Sequence, residues 1–381
     1  MTRHVCIVSN TLADGGAERW ASNTCSFLAE AGLRVSLVLF QDIRTYPCPD
    51  SVTVTALQHR HFGHAFRTVR RLRKLLIEES VDTVISNGSF TGQFVGEAVR
   101  GTSSRWIARI SGNIAKGQES FLQRWGWRWL DRNIASASAI VANSANLQSE
   151  VQARWPSLSN RAAMIPNGVD VQKLIDASKQ KTDLPEMANS ETFKIVAAGR
   201  LHPQKRPDVF LEMVQALIRD GHEVKAYWCG DGPIRDAVEQ QIEELRLNKH
   251  VTILGFRRDL PSWIGMADCF VMTSDHEGSP NVIAEAMALG VPVVSTDCDF
   301  GPRELLAEGR GWLAPVGDAE QLAASVREVF SESETSKSRA SRAKVWIQEN
   351  LDLHSIGARW EELIEESVAP PEGSVATGSL V

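Results

Sequence analysis

The chain has 381 residues, 43% of them hydrophobic and 23% charged, with a formal net charge of −6. That is the make-up of a folded globular chain of about two domains. It excludes disordered and fibrous proteins and, with negative net charge, a general nucleic-acid binder.

The first strand is expected at His4–Val8, and no apolar run reaches the ~18 residues of a membrane span. Neither a signal peptide nor a transmembrane helix is expected, which points to the cytoplasm. Short β-branched runs then alternate with helical patterns. A first set of strands is read at His4–Val8, Val35–Phe40, Thr83–Ser86, Trp106–Ile110, Ile140–Ala142 and Ala163–Ile165. Asp176–Thr192, polar and carrying Pro185, reads as a linker. A second set follows at Lys194–Ala198, Val224–Cys229, Val251–Leu254, Cys269–Met272 and Val293–Ser295. Such alternation makes parallel sheets covered by helices. The fold class is therefore α/β, with two Rossmann-like domains at 1–175 and 193–352 joined by a linker at 176–192. After Val316 the pattern is helical through Asp318–Phe330, Glu334–Asn350 and Leu353–Ser367. The last helix, 353–368, has no strand to cover in its own domain and is expected to cross back to the first. A Pro/Gly/Ser/Thr-rich tail at 369–381 reads as disordered. Open α/β sheets bind ligands beyond the carboxyl ends of their strands, so two such sheets are expected to face a cleft.

Six cysteines, Cys6, Cys25, Cys48, Cys229, Cys269 and Cys298, show no C-x-x-C pair, and several lie in apolar strands. They are read as reduced and structural.

Three post-strand segments carry candidate chemistry. Asn10–Arg19 reads NTLADGGAER and turns helical, which places Gly15 and Gly16 at a helix N-terminus able to attract phosphate. By itself a Gly-Gly pair only permits a turn, and it lacks the spacing of a dinucleotide site. The second domain's first strand ends in Gly199-Arg200-Leu201, followed by His202-Pro203-Gln204-Lys205-Arg206-Pro207-Asp208. Arg200 and Lys205 can converge there on one anion, such as a diphosphate leaving group, or be merely solvated. The stretch from Ser274 to Ala288 holds Glu277, then Gly278-Ser279-Pro280-Asn281-Val282, then Glu285. Helix-start N–H groups at Asn281 and Val282 can meet phosphate. Two carboxylates on roughly one face can accept from hydroxyls, Glu277 from a sugar and Glu285 from a ribose.

The order of motifs resembles the family 4 glycosyltransferases, of the two-domain GT-B fold, over nearly the whole chain. The resemblance rests on GGAER, Pro166-Asn167-Gly168-Val169-Asp170, GRLHPQKRPD, Cys229-Gly230-Asp231-Gly232-Pro233 and the Glu277/Glu285 stretch ending in GVPVVSTD. It implies that Gly16 approaches the donor phosphates, that Arg200 and Lys205 hold the diphosphate, and that Glu277 and Glu285 take the sugar and ribose. It implies a base lying against Gly255, Phe256 and Arg257, no metal or other cofactor, and retention of anomeric configuration. His59, His61, His64 and His276 are accordingly read as surface or structural. One departure stands out. Many relatives carry a histidine after the strand corresponding to Trp106–Ile110, where this chain has Arg109-Ile110-Ser111-Gly112-Asn113. Either Arg109, Ser111 or Asn113 takes over sugar contacts, or the leaving-group oxygen acts as base.

The segments Arg67–Leu76 and Phe121–Leu130 interleave cations with apolar residues, and the second adds Trp125, Trp127 and Trp129. Both fall in the expected acceptor domain. They point to a saccharide acceptor that is lipid-linked and to an anionic membrane surface, unless their apolar faces simply pack on the sheet. The loop Thr296–Leu305 resembles that of relatives building surface polysaccharides from UDP-sugars, which favours UDP-hexose or UDP-N-acetylhexosamine over a GDP-sugar. Two other readings share the architecture: a nucleotide-sugar 2-epimerase, and a binding protein that has lost catalysis.

Overall fold

A computed structural model of the chain describes residues 2–13, 15–59, 64–112, 114, 121–180, 192–298 and 301–368. Asn113, His61, Pro185 and the tail at 369–381 lie outside these.

Two compact units result, one of Met1–Pro166 with Ile356–Val381, the other of Asn167–Ser355. The first begins β1 (His4–Ser9), α1 (Gly16–Glu30), β2 (Arg34–Leu39), β3 (Thr53–Ala56), α2 (Ala65–Glu78), β4 (Thr83–Asn87) and α3 (Ser89–Ala98). It continues through β5 (Arg105–Ile110), α4 (Phe121–Asn133), β6 (Ala139–Ala142), α5 (Ala145–Arg154) and β7 (Ala162–Met164). The second holds α6 (Val171–Ser178), β8 (Phe193–Ala198), α7 (Pro207–Arg219), β9 (Val224–Cys229), α8 (Arg235–Glu244), β10 (Val251–Gly255) and α9 (Leu260–Gly265). After these come β11 (Cys269–Met272), α10 (Asn281–Leu289), β12 (Val293–Thr296), α11 (Pro302–Leu306), β13 (Trp312–Ala314), α12 (Ala319–Ser331) and α13 (Ser333–Asn350). The helix α14 (Leu353–Val368) starts in the second unit and runs into the first.

The seven-stranded sheet has the order β3-β2-β1-β4-β5-β6-β7 and the six-stranded sheet β10-β9-β8-β11-β12-β13. Neighbours pair in parallel throughout. Helices cover both faces, so the inner strands are buried along their whole length, as in β1 and β4. This is why they read as unbroken apolar runs. The edge strands β3 and β13 escaped the sequence reading. β3 is half-exposed over four residues, and β13 spans only three.

The passage between units lies at Pro166/Asn167, earlier than the expected boundary at 175, and α6 extends into the segment read as linker. Long-range bonds bind this stretch to the second unit. The Val169 N–H donates to the Leu351 carbonyl at 2.8 Å, and Leu353 N–H to the Val169 carbonyl at 3.0 Å. Ser262 Oγ donates to the Ala177 carbonyl at 3.0 Å.

In the first unit α14 lies on α1. Trp360 is 1% exposed, with its ring centroid 5.1 Å from that of Trp20. A Cβ at Gly357 would come within 2.3 Å of the Phe27 ring, so the missing side chain is what lets the helix sit this close.

Candidate active site

In the six-stranded sheet the strand order reverses between β8 and β11, and a crevice opens beyond the carboxyl ends at such a point. The two loops leaving those strands carry Arg200, Lys205 and Glu277.

Backbone bonds stitch these loops together. Asp275 N–H donates to the Gln204 carbonyl at 2.9 Å. The buried Thr273 hydroxyl donates to the Lys205 carbonyl at 2.8 Å and the Arg206 carbonyl at 3.0 Å. Arg206, in the left-handed conformation at φ 49°, grips Asp208 through both carboxylate oxygens and Asp275 at 3.0 Å. The hydrogen bonds it donates to Asp208 first and then Asp275 hold its guanidinium above the ordinary range. Arg206 is thus committed to shaping the loop.

The Lys205 ammonium pairs with Glu277 Oε1, and the Ser274 hydroxyl donates to that same oxygen at 2.6 Å. The Lys205 and Glu277 side chains are only 21% and 10% exposed, so the pair is poorly screened. Sequence reasoning named both residues but not their contact, and missed Ser274. The polar pair Thr273-Ser274 directly after the apolar run Cys269–Met272 was the available signal. Arg200 is exposed, and no carboxylate among the described residues pairs with it. It remains available to an anion.

The loop after β9 packs directly on the backbone of Gly199 and Leu201, and only glycine fits there. A Cβ at Gly230 would sit 1.9 Å from the Gly199 carbonyl oxygen, and one at Gly232 would sit 2.2 Å from that of Leu201. Trp228 Nε1 donates to the Gly199 carbonyl at 2.8 Å, and Leu201 N–H to the Asp231 carbonyl at 2.9 Å.

Gly278 and Ser279 lead half-buried into Pro280, the N-cap of α10. The first-turn N–H groups of Asn281 and Val282 have no preceding helical carbonyl to bond. The Asn281 side chain accepts a hydrogen bond from Asn167 at 2.8 Å. Glu285 lies inside the same helix at 4% exposure. Beyond β10, Phe256 is 46% exposed, which suits a face for stacking. Arg257 instead bonds Asp259 at 2.8 and 2.6 Å and lies 5.3 Å from the Trp263 ring. Its side chain is engaged.

In the first unit Gly15 caps α1, and Gly16 opens it. The Glu18 carboxylate lies over Gly15, where a Cβ would meet its Oε2 at 2.3 Å. Arg109 is fully buried, against the expectation of a side chain facing a sugar. Its guanidinium donates to Asn87 Oδ1 at 2.6 Å and lies 4.2 Å from the Trp20 ring. Burial pulls it down to about 9, opposed by the Glu18 carboxylate. Asn87 in turn donates to Ser9 Oγ at 3.1 Å and the Ala17 carbonyl at 2.8 Å, tying β1, β4 and α1 together. Arg109 is a scaffold residue. Ser111 stays half-buried near Gly88.

The basic face of α2 divides. Arg73 donates to the Glu97 and Ala98 carbonyls at 2.6 and 3.1 Å, and Arg71 to the Leu57 carbonyl at 3.2 Å. Arg67, Arg70 and Lys74 are exposed beside Phe66 (81%) and Ile77 (55%). On α4, Trp129 packs against Phe94 at 5.2 Å, and Trp127 lies 4.5 Å beneath Arg154. These two tryptophans pack within the unit and are not an outward-facing aromatic stripe. Among the described residues no helix is long and apolar enough to cross a membrane, and no group of three or more His, Cys, Asp or Glu could hold a metal ion.

The solved structure of Anabaena Alr3699/HepE in complex with UDP and glucose matches with a TM-score of 0.80 at 23% identity, covering 96% of this chain and 100% of that one. The fold is therefore that of the GT-B glycosyltransferases. The family profile described as Glycosyltransferase Family 4 matches residues 14–173, and that described as Glycosyl transferases group 1 matches residues 192–332. The chain belongs to the family 4 glycosyltransferases. It is similar to an uncharacterized glycosyltransferase of Methanocaldococcus jannaschii, 28% identical over 45% of this chain and 42% of that protein. It is also similar to the Escherichia coli UDP-Gal:α-D-GlcNAc-diphosphoundecaprenol α-1,3-galactosyltransferase, 26% identical over 66% of this chain and 67% of that protein. The matched stretch thus spans under half the length of the archaeal relative and two thirds of the bacterial one.

Proposed function

We propose that this chain is a retaining glycosyltransferase that moves a hexose or N-acetylhexosamine from a UDP-sugar to a lipid-linked saccharide in surface polysaccharide biosynthesis. The observation that carries this reading is the Lys205–Glu277 pair at the mouth of the β8/β11 crevice, with Arg200 exposed on the adjoining loop. Lys205 and Arg200 stabilise the charge that grows on the diphosphate as the bond from sugar C1 to phosphate oxygen breaks. In this role they replace a metal ion. The N–H groups opening α10 meet the phosphates, Glu277 accepts from a sugar hydroxyl, and Glu285 accepts from the ribose. Arg109 faces inward, which favours a departing phosphate oxygen as the base. That oxygen takes the proton of the acceptor hydroxyl as the new bond to C1 forms on the same face. UDP is favoured as donor carrier because the bacterial relative uses UDP-galactose and a diphosphoundecaprenol-linked acceptor.

The direct test combines protein, UDP-sugar and a diphosphoundecaprenol-linked monosaccharide in the presence of a chelator, and reads the product anomer by NMR. Retention supports the proposal, and an inverted anomer would remove it. Glu285→Ala should weaken UDP binding about tenfold to a hundredfold by calorimetry, the worth of a charge-assisted hydrogen bond of ~1.5–3 kcal/mol. Turnover at saturating donor should stay close to that of the parent.

The acceptor reading places the protein at the inner face of a membrane, peripherally, through Arg67, Arg70 and Lys74 with Phe66. Each cation near an anionic surface is worth about 1 kcal/mol. Replacing all three with Gln should lower partitioning onto anionic liposomes by about two orders of magnitude in a sedimentation assay. Unchanged sedimentation would assign the face to solvent.

A further inference from the structure

One pair of nucleophilic side chains lies outside the transfer chemistry. Cys25 is buried on α1, and Cys48 is half-buried in the segment between β2 and β3. Ser22 on α1 donates from its hydroxyl to the Pro47 carbonyl at 2.6 Å. Residues 22 and 25 are neighbours on one helix face, so this bond lays Cys48 over the turn that carries Cys25. Each thiol bears on the ionisation of the other. The same segment is anchored at its other end. Leu12 N–H donates to the Ile43 carbonyl at 2.9 Å, and Thr45 and Tyr46 N–H donate to the Leu12 carbonyl at 2.8 and 3.0 Å. The segment that carries Cys48 is thus held against α1 by backbone that is already fixed.

Their surroundings differ from those of the remaining cysteines. The neighbouring Cys25 thiol holds the Cys48 thiol below its ordinary range, and the Arg44 guanidinium adds to the effect. The Cys48 thiol, together with burial, pushes Cys25 up. Burial pushes Cys6, Cys229 and Cys298 up to about 12 and Cys269 higher still. A partly exposed thiol whose charged form a guanidinium favours, held over the helix turn that carries a second thiol, is the arrangement of a redox-responsive pair.

We propose that Cys25 and Cys48 are a reversible disulfide site that takes low-molecular-weight disulfides, such as oxidised glutathione, as its oxidant. The Cys48 thiolate attacks one sulfur of the oxidant, and the other sulfur leaves as a thiolate. The Cys25 sulfur then attacks Cys48 Sγ and expels the second thiolate, which receives the Cys25 proton. Two protein thiols are oxidised, and one external disulfide is reduced to two thiols. The bond fastens the 41–48 segment to α1. Because that segment is paired with Leu12, oxidation reaches the loop that leads into Gly15 and Gly16.

The test does not depend on glycosyl transfer. The native protein is incubated with oxidised glutathione, alkylated without reduction, digested and analysed by mass spectrometry. The expected product is one peptide pair joined through Cys25 and Cys48, separated by dithiothreitol, with the other four cysteines alkylated. Cys25→Ser should trap glutathione on Cys48, and Cys48→Ser should yield neither product. A wild-type protein that keeps glutathione on Cys48 while Cys25 is alkylated would overturn the proposal. So would one in which neither thiol reacts while the protein remains folded by circular dichroism.

Discussion

Replacing Lys205 by alanine should lower turnover by about a hundredfold to a thousandfold, the usual cost of removing one donor aimed at transition-state charge. The loss follows from where the ammonium sits. It is held on Glu277 Oε1, with Ser274 donating to the same oxygen, in a loop fixed by Thr273 and Asp275. A cation so oriented needs no reorganisation when diphosphate charge develops. UDP release at saturating donor is the measurement, because growth of charge on the leaving group affects kcat more than donor binding. Removing Lys205 also leaves a largely buried carboxylate without its cation, which by itself can disturb the loop. The double variant Lys205→Ala/Glu277→Gln separates the two effects. If turnover recovers in the double variant, the loss came from the stranded carboxylate, and Lys205 has no direct part in the reaction.

Trp360→Ala should destabilise the protein by about 3–5 kcal/mol, the range for deleting a fully buried aromatic side chain. Trp360 is 1% exposed against Trp20, and Ile356 and Ile364 flank it on the same helix at 2% and 1%. Trp20 also touches the buried Arg109 guanidinium, so the cavity would open beside a charge already costly to bury. Denaturant unfolding should show the loss in the transition of the first unit, since a chain of two units need not unfold in one step. UDP affinity should change far less, because the nucleotide-binding loops of the proposal belong to the second unit. A parallel fall in stability and UDP affinity would mean that the first unit supports the donor site.

Within the fold, legibility followed burial. The inner strands were readable because parallel strands covered on both faces must be apolar along their length, as in β1, β9 and β11. β3 and β13 were not, since short edge strands lack that signal. α6 was partly taken for linker. Its helical pattern is clear only beside the second unit, to which the Ser262 hydroxyl binds it.

By itself the sequence determined where strands end and helices begin, and so which loops lie at the strand ends. Gly, Pro and charged residues at strand ends reflect local dihedral and helix-start requirements, which a short stretch of chain specifies. The candidates Arg200, Lys205, Glu277 and Glu285 were picked out on that basis. Only the tertiary structure decided what those side chains meet. The Lys205–Glu277 contact spans 72 residues, and the inward turn of Arg109 onto Asn87 spans 22. Cys48 comes over Cys25 through the Ser22–Pro47 bond, which joins residues 25 apart. Each of these contacts depends on strand order and on the packing of helices against the sheet. These are properties of how distant segments share one core, and no local spacing encodes them.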